Sequence, residues 1–303
     1  MKCLPATTTR NTCLKLSLVP LLLGLAACSS SNDDGGDALG CASGEEASAS
    51  YCVEYITGAG LDERVGKNTF TLHVKAREGG APVTGLTIGL SPKMYMVSGM
   101  RHATPDEGCV ESASIAGDYV CTVYYIMASE MNGVKMGDWE LDLDIGGEAL
   151  TLTPMVMMAM GDTRMAQLKG VNDMIPGMPN MPDENRVYYL FTDDAASTDS
   201  FGLFIAARES MMSFPAVYSG QTFNAGTAYE MNVGTVAVEI SSDDGATWLA
   251  AAETGNGHWR ITGLGLSAGV ANTLRVRLSI DGETKTIDGS ASGQAYQTFT
   301  VTP

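Results

Sequence analysis

From about residue 50 onward, apolar and polar positions alternate with a period of two, the signature of strands with one buried face. Thr69-Phe-Thr-Leu-His-Val-Lys places Phe70, Leu72 and Val74 on one face and His73 on the other. Leu86-Thr-Ile-Gly-Leu90 alternates too, and Tyr119-Val-Cys-Thr-Val-Tyr-Tyr-Ile126 is a β-branched and aromatic run. Trp139-Glu-Leu-Asp-Leu-Asp-Ile145 alternates without a break, so Trp139, Leu141, Leu143 and Ile145 should face inward. Gly146-Gly147 then predicts a tight hairpin into Ala149-Leu-Thr-Leu-Thr153. No long stretch shows the 3.6-residue period of an amphipathic helix.

The pattern stops between Asp162 and Arg186, where Met174-Ile-Pro-Gly-Met-Pro-Asn-Met-Pro-Asp183 spaces prolines with methionines. Proline lacks the N–H that a central strand donates, so 163–185 reads as a linker. Alternation resumes at Val187-Tyr-Tyr-Leu-Phe191. It continues through Gly202-Leu-Phe-Ile-Ala206, Val236-Ala-Val-Glu-Ile240, His258-Trp-Arg-Ile261, Thr273–Ile280 and Tyr296–Val301. The expected fold is all-β: two immunoglobulin-like antiparallel β-sandwich domains in tandem, over 51–162 and 186–303.

The first 27 residues differ. Lys2, Arg10 and Lys15 precede an apolar stretch, Leu16 to Ala27, too short to span a bilayer. This is the pattern of a signal peptide. Its end, Leu25-Ala26-Ala27-Cys28, resembles the bacterial lipobox, whose cysteine becomes the lipidated first residue of the mature protein. Cys28 is therefore the expected lipidation site and a membrane the expected partner of the N-terminus. Ser29 rather than Asp follows, which by the same resemblance favours the outer membrane of a bacterial cell envelope. Residues 28–50 are rich in Ser, Gly, Asp, Ala and Glu, a composition expected to form a disordered tether.

Charge removes one class of partner. Without the first 27 residues the chain keeps 15 basic and 35 acidic residues, a net of −20, which argues against nucleic acid and anionic headgroups. Beyond Cys3, Cys13 and Cys28, four cysteines remain: Cys41, Cys52, Cys109 and Cys121. An even number in an oxidising compartment predicts two disulfides, and proximity favours Cys41–Cys52 and Cys109–Cys121. The absence of a Cys-x-x-Cys pair counts against a cysteine metal site.

The candidate chemistry lies in Met94-Tyr-Met96-Val-Ser-Gly-Met100-Arg-His102, four potential ligands in nine residues. Thioethers are soft and uncharged, which suits Cu(I) and not Mg, Ca or Mn. Met94 and Met96 share a strand face, and Gly99 permits a turn returning Met100 and His102 toward them. Met127, Met131 and Met136 flank an expected turn at Ser129–Gly133 and could face the first group from a neighbouring loop. The competing reading is that methionines fill irregular gaps in a core. That reading is preferred for Met155, Met157, Met158 and Met160. Met174, Met178 and Met181 belong to the expected linker.

Several short motifs appear in a family's order. Leu90-Ser-Pro-Lys-Met-Tyr-Met96 is followed by Gly117-Asp-Tyr119 at the head of a long strand, then by Met136-Gly-Asp-Trp139 before an alternating one. Over 68–152 the chain resembles the YtkA-like/FixH-like family of exported immunoglobulin-type domains. The resemblance implies copper handling, with a copper-dependent oxidase or a copper exporter component as partner. Arg101-His102 and an insertion around 106–114 depart from the family pattern.

In the second half, Ser241-Ser-Asp-Asp-Gly-Ala-Thr-Trp248 matches the Asp-box hairpin of sialidase-like propellers. A propeller needs repeated blades, and one copy is present. The surrounding strands resemble immunoglobulin-like modules such as the C-terminal domain of sulfite-oxidase-type enzymes, so the motif reads as structural. No Gly-x-Ser-x-Gly, His-Glu-x-x-His or phosphate-binding loop occurs. The expected protein is not an enzyme but a lipid-anchored copper-binding or copper-transfer protein. The alternative is a structural or adhesive surface lipoprotein without a metal site.

Overall fold

A computed structural model describes residues 40–58, 62–177 and 181–303. The predicted signal peptide, Cys28 and Met178 lie outside these residues. The alternating segments form strands, and no α-helix occurs among the described residues. In the first sandwich one sheet orders Glu45–Ala47, Tyr51–Thr57, Gly66–Ala76, Asp118–Tyr125 and Asp106–Glu111 as antiparallel neighbours. The facing sheet orders Glu148–Leu152, Gly137–Ile145, Ile88–Met96 and Arg101–Ala103. Phe70, Leu72 and Val74 point inward from one sheet and Trp139, Leu141, Leu143 and Ile145 from the other. Gly146 and Gly147 take φ of 59° and 92°, closing the hairpin between Ile145 and Glu148.

Both disulfides form as proximity suggests. Cys109–Cys121 joins register partners on neighbouring strands, and Cys41–Cys52 ties down the N-terminal edge. The second bond corrects the expected tether. From Cys41 the chain is already part of the sandwich, with Glu45–Ala47 paired to Tyr51–Thr57.

The second sandwich corrects the expected linker. Residues 163–185 are largely strand: Met165–Ile175 runs antiparallel to Glu184–Thr192 as the edge of a sheet that continues through Ser200–Ala207, His258–Thr262 and Ala252–Gly255. Pro176 and Pro182 lie outside the strands, where the missing N–H costs nothing. The opposing sheet centres on Val236–Ser241 and Asn272–Ile280, flanked by Leu249–Ala250, Glu283–Thr284 and Gln297–Val301.

One sequence feature explains how the halves meet. Val187–Phe191 and Phe201–Ala207 are buried at every position, which a strand with a wet face would not be. Tyr188, Leu190, Leu203 and Ile205 point into the second core. Val187, Tyr189, Phe191, Phe204 and Ala206 point the other way and pack with Tyr124 of the first sandwich. Tyr124 stacks on Phe204 at 4.2 Å between ring centroids. Beside it, Lys67 pairs with Asp193 at 2.6 Å, and His258 lies between Asp193 and Glu107. Residues 38–303 accordingly form one unit.

The Asp-box segment forms the turn its residues predict. Asp243 accepts from the Thr247 amide at 2.8 Å, Gly245 takes φ of 87°, and Trp248 lies under Arg277. The methionines of 155–160 differ from expectation. Met155, Met157, Met158 and Met160 are all exposed, because only Val156 of that segment turns into the core.

Candidate metal-binding cavity

Three adjacent strands set the site. Ile88–Met96 lies between Gly137–Ile145 and Arg101–Ala103, with Met94 opposite both Trp139 and His102, and Met96 opposite Gly137. Directly opposed residues share a face, so Met94, Met96 and His102 all point inward. The return is made at Gly99, with φ of 84°, and is closed by bonds from the Gly99 amide to the Met96 carbonyl and from the Met96 amide to the Met100 carbonyl, both 2.9 Å.

Met94 and Met96 then diverge in role. Met94 is fully buried, its methyl lying against Gly137, and it belongs to the core. Met96, at the strand end, reaches a cavity of about 240 Å³ that opens where the two sandwiches meet. Met100, His102 and Met127 line the same cavity. The second sandwich contributes Met211, Tyr189, Phe214 and the ion pair Arg208–Glu184, 2.7 Å apart. Of the seven residues expected as ligands, the fold brings Met96, Met100, His102 and Met127 together. Met94, Met131 and Met136 do not line the cavity. Met131 is exposed on the 130–135 hairpin, and Met136 packs partly buried against the first core.

His102 is the distinctive group. It is 2% exposed. Its Nδ1 lies 2.9 Å from the Ala103 carbonyl, an acceptor only, so Nδ1 carries the proton and Nε2 the lone pair. Nε2 is buried and has no hydrogen-bond partner among the described residues. Burial lowers the pKa of the ring, outweighing the opposing effect of the Ala103 bond, and favours the neutral form. Leaving such an atom unsatisfied costs about 1–3 kcal/mol. Trp139 holds the arrangement: its ring meets His102 edge-on at 5.3 Å, and its Nε1 donates to the Met127 carbonyl at 3.0 Å.

A neutral imidazole and four methionines lining one cavity, whose one lining carboxylate is engaged by Arg208, make a soft donor set. Hard cations seek several oxygen ligands and would find few here. Cu(I) fits the residues present. Two acidic clusters elsewhere are already committed. Asp173 and Glu283 bind the buried Arg186 and Lys285, and Cys41, Glu45 and Cys52 lie together, but with the two sulfurs joined as a disulfide. Two participants at the junction were not legible from local sequence. Met211 lies more than a hundred residues from Met96, Met100 and His102, and His258 gains its carboxylate partners only on folding.

No protein-family model matches the chain, and no curated protein matches it. Among solved structures, InvD of Yersinia pseudotuberculosis aligns at 16% identity over 83% of this chain and 57% of that one, with a TM-score of 0.24. The chain thus spans a little over half of the InvD structure. Domains 5 and 6 of the S-layer protein SbsC align at 12% identity over 85% and 97%, TM-score 0.24. A multidomain segment of titin aligns at 9% identity over 79% and 99%, TM-score 0.20. Superpositions this loose carry no argument about the site.

Proposed function

We propose that this chain is an extracytoplasmic Cu(I)-binding protein, tethered to a membrane through Cys28, that holds the ion in the cavity lined by Met96, Met100, His102 and Met127. The observation that carries this reading is His102, whose buried Nε2 has no hydrogen-bond partner among the described residues and which lines the cavity together with three thioether residues of its own sandwich. Bound Cu(I) would satisfy that nitrogen and give the thioethers the soft acid they prefer. Neutral ligands at the edge of a sandwich suit a carrier that takes up and releases its cargo by ligand exchange. The two disulfides agree with a compartment outside the reducing cytoplasm. The resemblance of 68–152 to the YtkA-like/FixH-like domains points the same way, toward a copper-dependent oxidase or an exporter component as recipient.

Titration with Cu(I) against a competing chelator tests this reading. Stoichiometric binding is expected, lost when Met96 and Met100 are both changed to Leu, and retained by Met94→Leu. Absence of binding, or binding indifferent to Met96 and Met100, would return the chain to the structural alternative.

A further inference from the structure

We infer that Met211 supplies a ligand from the second sandwich to the same cation, so that binding locks the two sandwiches together. This rests on the reading of the cavity as a Cu(I) site. Met211 and Met212 sit at the tip of a turn between Ser210 and Ser213, whose base is held by the Glu209 amide donating to the Ser213 carbonyl at 3.0 Å and the Ser213 hydroxyl donating to Glu209 at 2.7 Å. Of the two neighbouring methionines, Met212 is exposed to solvent, whereas Met211 turns into the cavity.

The backbone fixes this placement across the junction. The Met211 carbonyl accepts from the Ala103 amide at 2.8 Å, one residue beyond His102. The thioether and the unpartnered imidazole are therefore carried by two chain segments that are directly hydrogen-bonded to one another. The sulfur of Met211 has only a weak contact, 3.9 Å, from the Arg208 guanidinium, whose charge Glu184 balances. It remains free to ligate.

A cation bound by both sandwiches stabilises only the docked junction, by an amount that grows with its concentration over Kd. The coupling is reciprocal: whatever separates the junction must weaken the hold on the cation by the same factor. A recipient that pries the Met211 turn from the Arg101–Ala103 strand would thereby release the ion.

The test uses the full chain, Cu(I) supplied from a competing chelator, and three proteins: wild type, Met211→Leu and Met212→Leu. Losing an outer-shell partner of a metal site already costs about 10–100-fold in affinity, so loss of a ligand should cost on the order of 100-fold. We expect that loss for Met211→Leu and none for Met212→Leu. Amide exchange at Ala103 should slow on Cu(I) addition in wild type and not in Met211→Leu. Should Met211→Leu perturb folding, Met211→His, which restores a donor, should recover binding. Wild-type binding with an unchanged affinity in Met211→Leu would overturn the inference and leave the cavity reading intact. No binding by wild type would overturn both.

Discussion

Replacing His258 by Gln probes the polar side of the junction. Both ring nitrogens of His258 meet carboxylates: Nδ1 meets Asp193 at 2.8 Å and Nε2 meets Glu107 of the other sandwich. The bonds to Asp193 and then Glu107 raise the pKa of the ring from 6.5 to about 9 against a smaller effect of burial. Burial alone would raise Asp193, yet the bonds from His258 and Lys67 hold it at about 2. At 1.36 kcal/mol per pH unit, the shift of His258 sets an upper bound of about 3 kcal/mol. The ring is 22% exposed and Glu107 35%, so solvent screening reduces this to about 1–2 kcal/mol. The folded pKa lies above the unfolded one, so this stability is complete below about pH 6.5 and is lost as pH rises through about 9. Urea unfolding of wild type and His258→Gln at pH 6, 8 and 10 should show a gap of about 1–2 kcal/mol at pH 6 that nearly closes at pH 10. A gap of equal size at pH 6 and pH 10 would refute the ion-pair reasoning and make His258 a packing residue.

Three further outcomes follow from the same structure. Trp139→Phe keeps an aromatic ring but removes the N–H to the Met127 carbonyl and part of a fully buried indole, so it should cost at least about 1–3 kcal/mol in thermal unfolding and weaken Cu(I) binding. Arg186→Met strips a fully buried cation from Asp173, at 2.8 Å, and should cost about 3–5 kcal/mol by calorimetry without altering Cu(I) affinity. The His102 ring is held below its ordinary pKa by burial, so Cu(I) affinity should stay flat through neutral pH and fall only in acid; a loss beginning above pH 7 would contradict the assigned neutral ring.

Alternation disclosed the strands well where one face is wet. Trp139 to Ile145 is the clearest case, every second residue being buried. It disclosed less where a strand is buried twice. Val187–Phe191 read simply as a strand, and its second buried face, the one that packs on Tyr124, leaves no period-two trace. The prolines after Ile175 mask the strand before them, because they break the alternation only where Met165–Ile175 has already ended. The cavity was half legible. A turn at Gly99 was enough to return His102 beside Met94, since sheet register ties nearby residues. Which thioethers leave the core depended on where the sandwich ends and the junction begins. Gly137 opposite Met96 marks that place, and Met211 arrives there only through tertiary packing.

X-ray absorption on the chain loaded with one equivalent of Cu(I) tests the central claim most directly. The account expects a sulfur-dominated first shell with one imidazole nitrogen, and loss of the nitrogen in His102→Leu. A shell of nitrogen and oxygen alone, or one unchanged in His102→Leu, would contradict it.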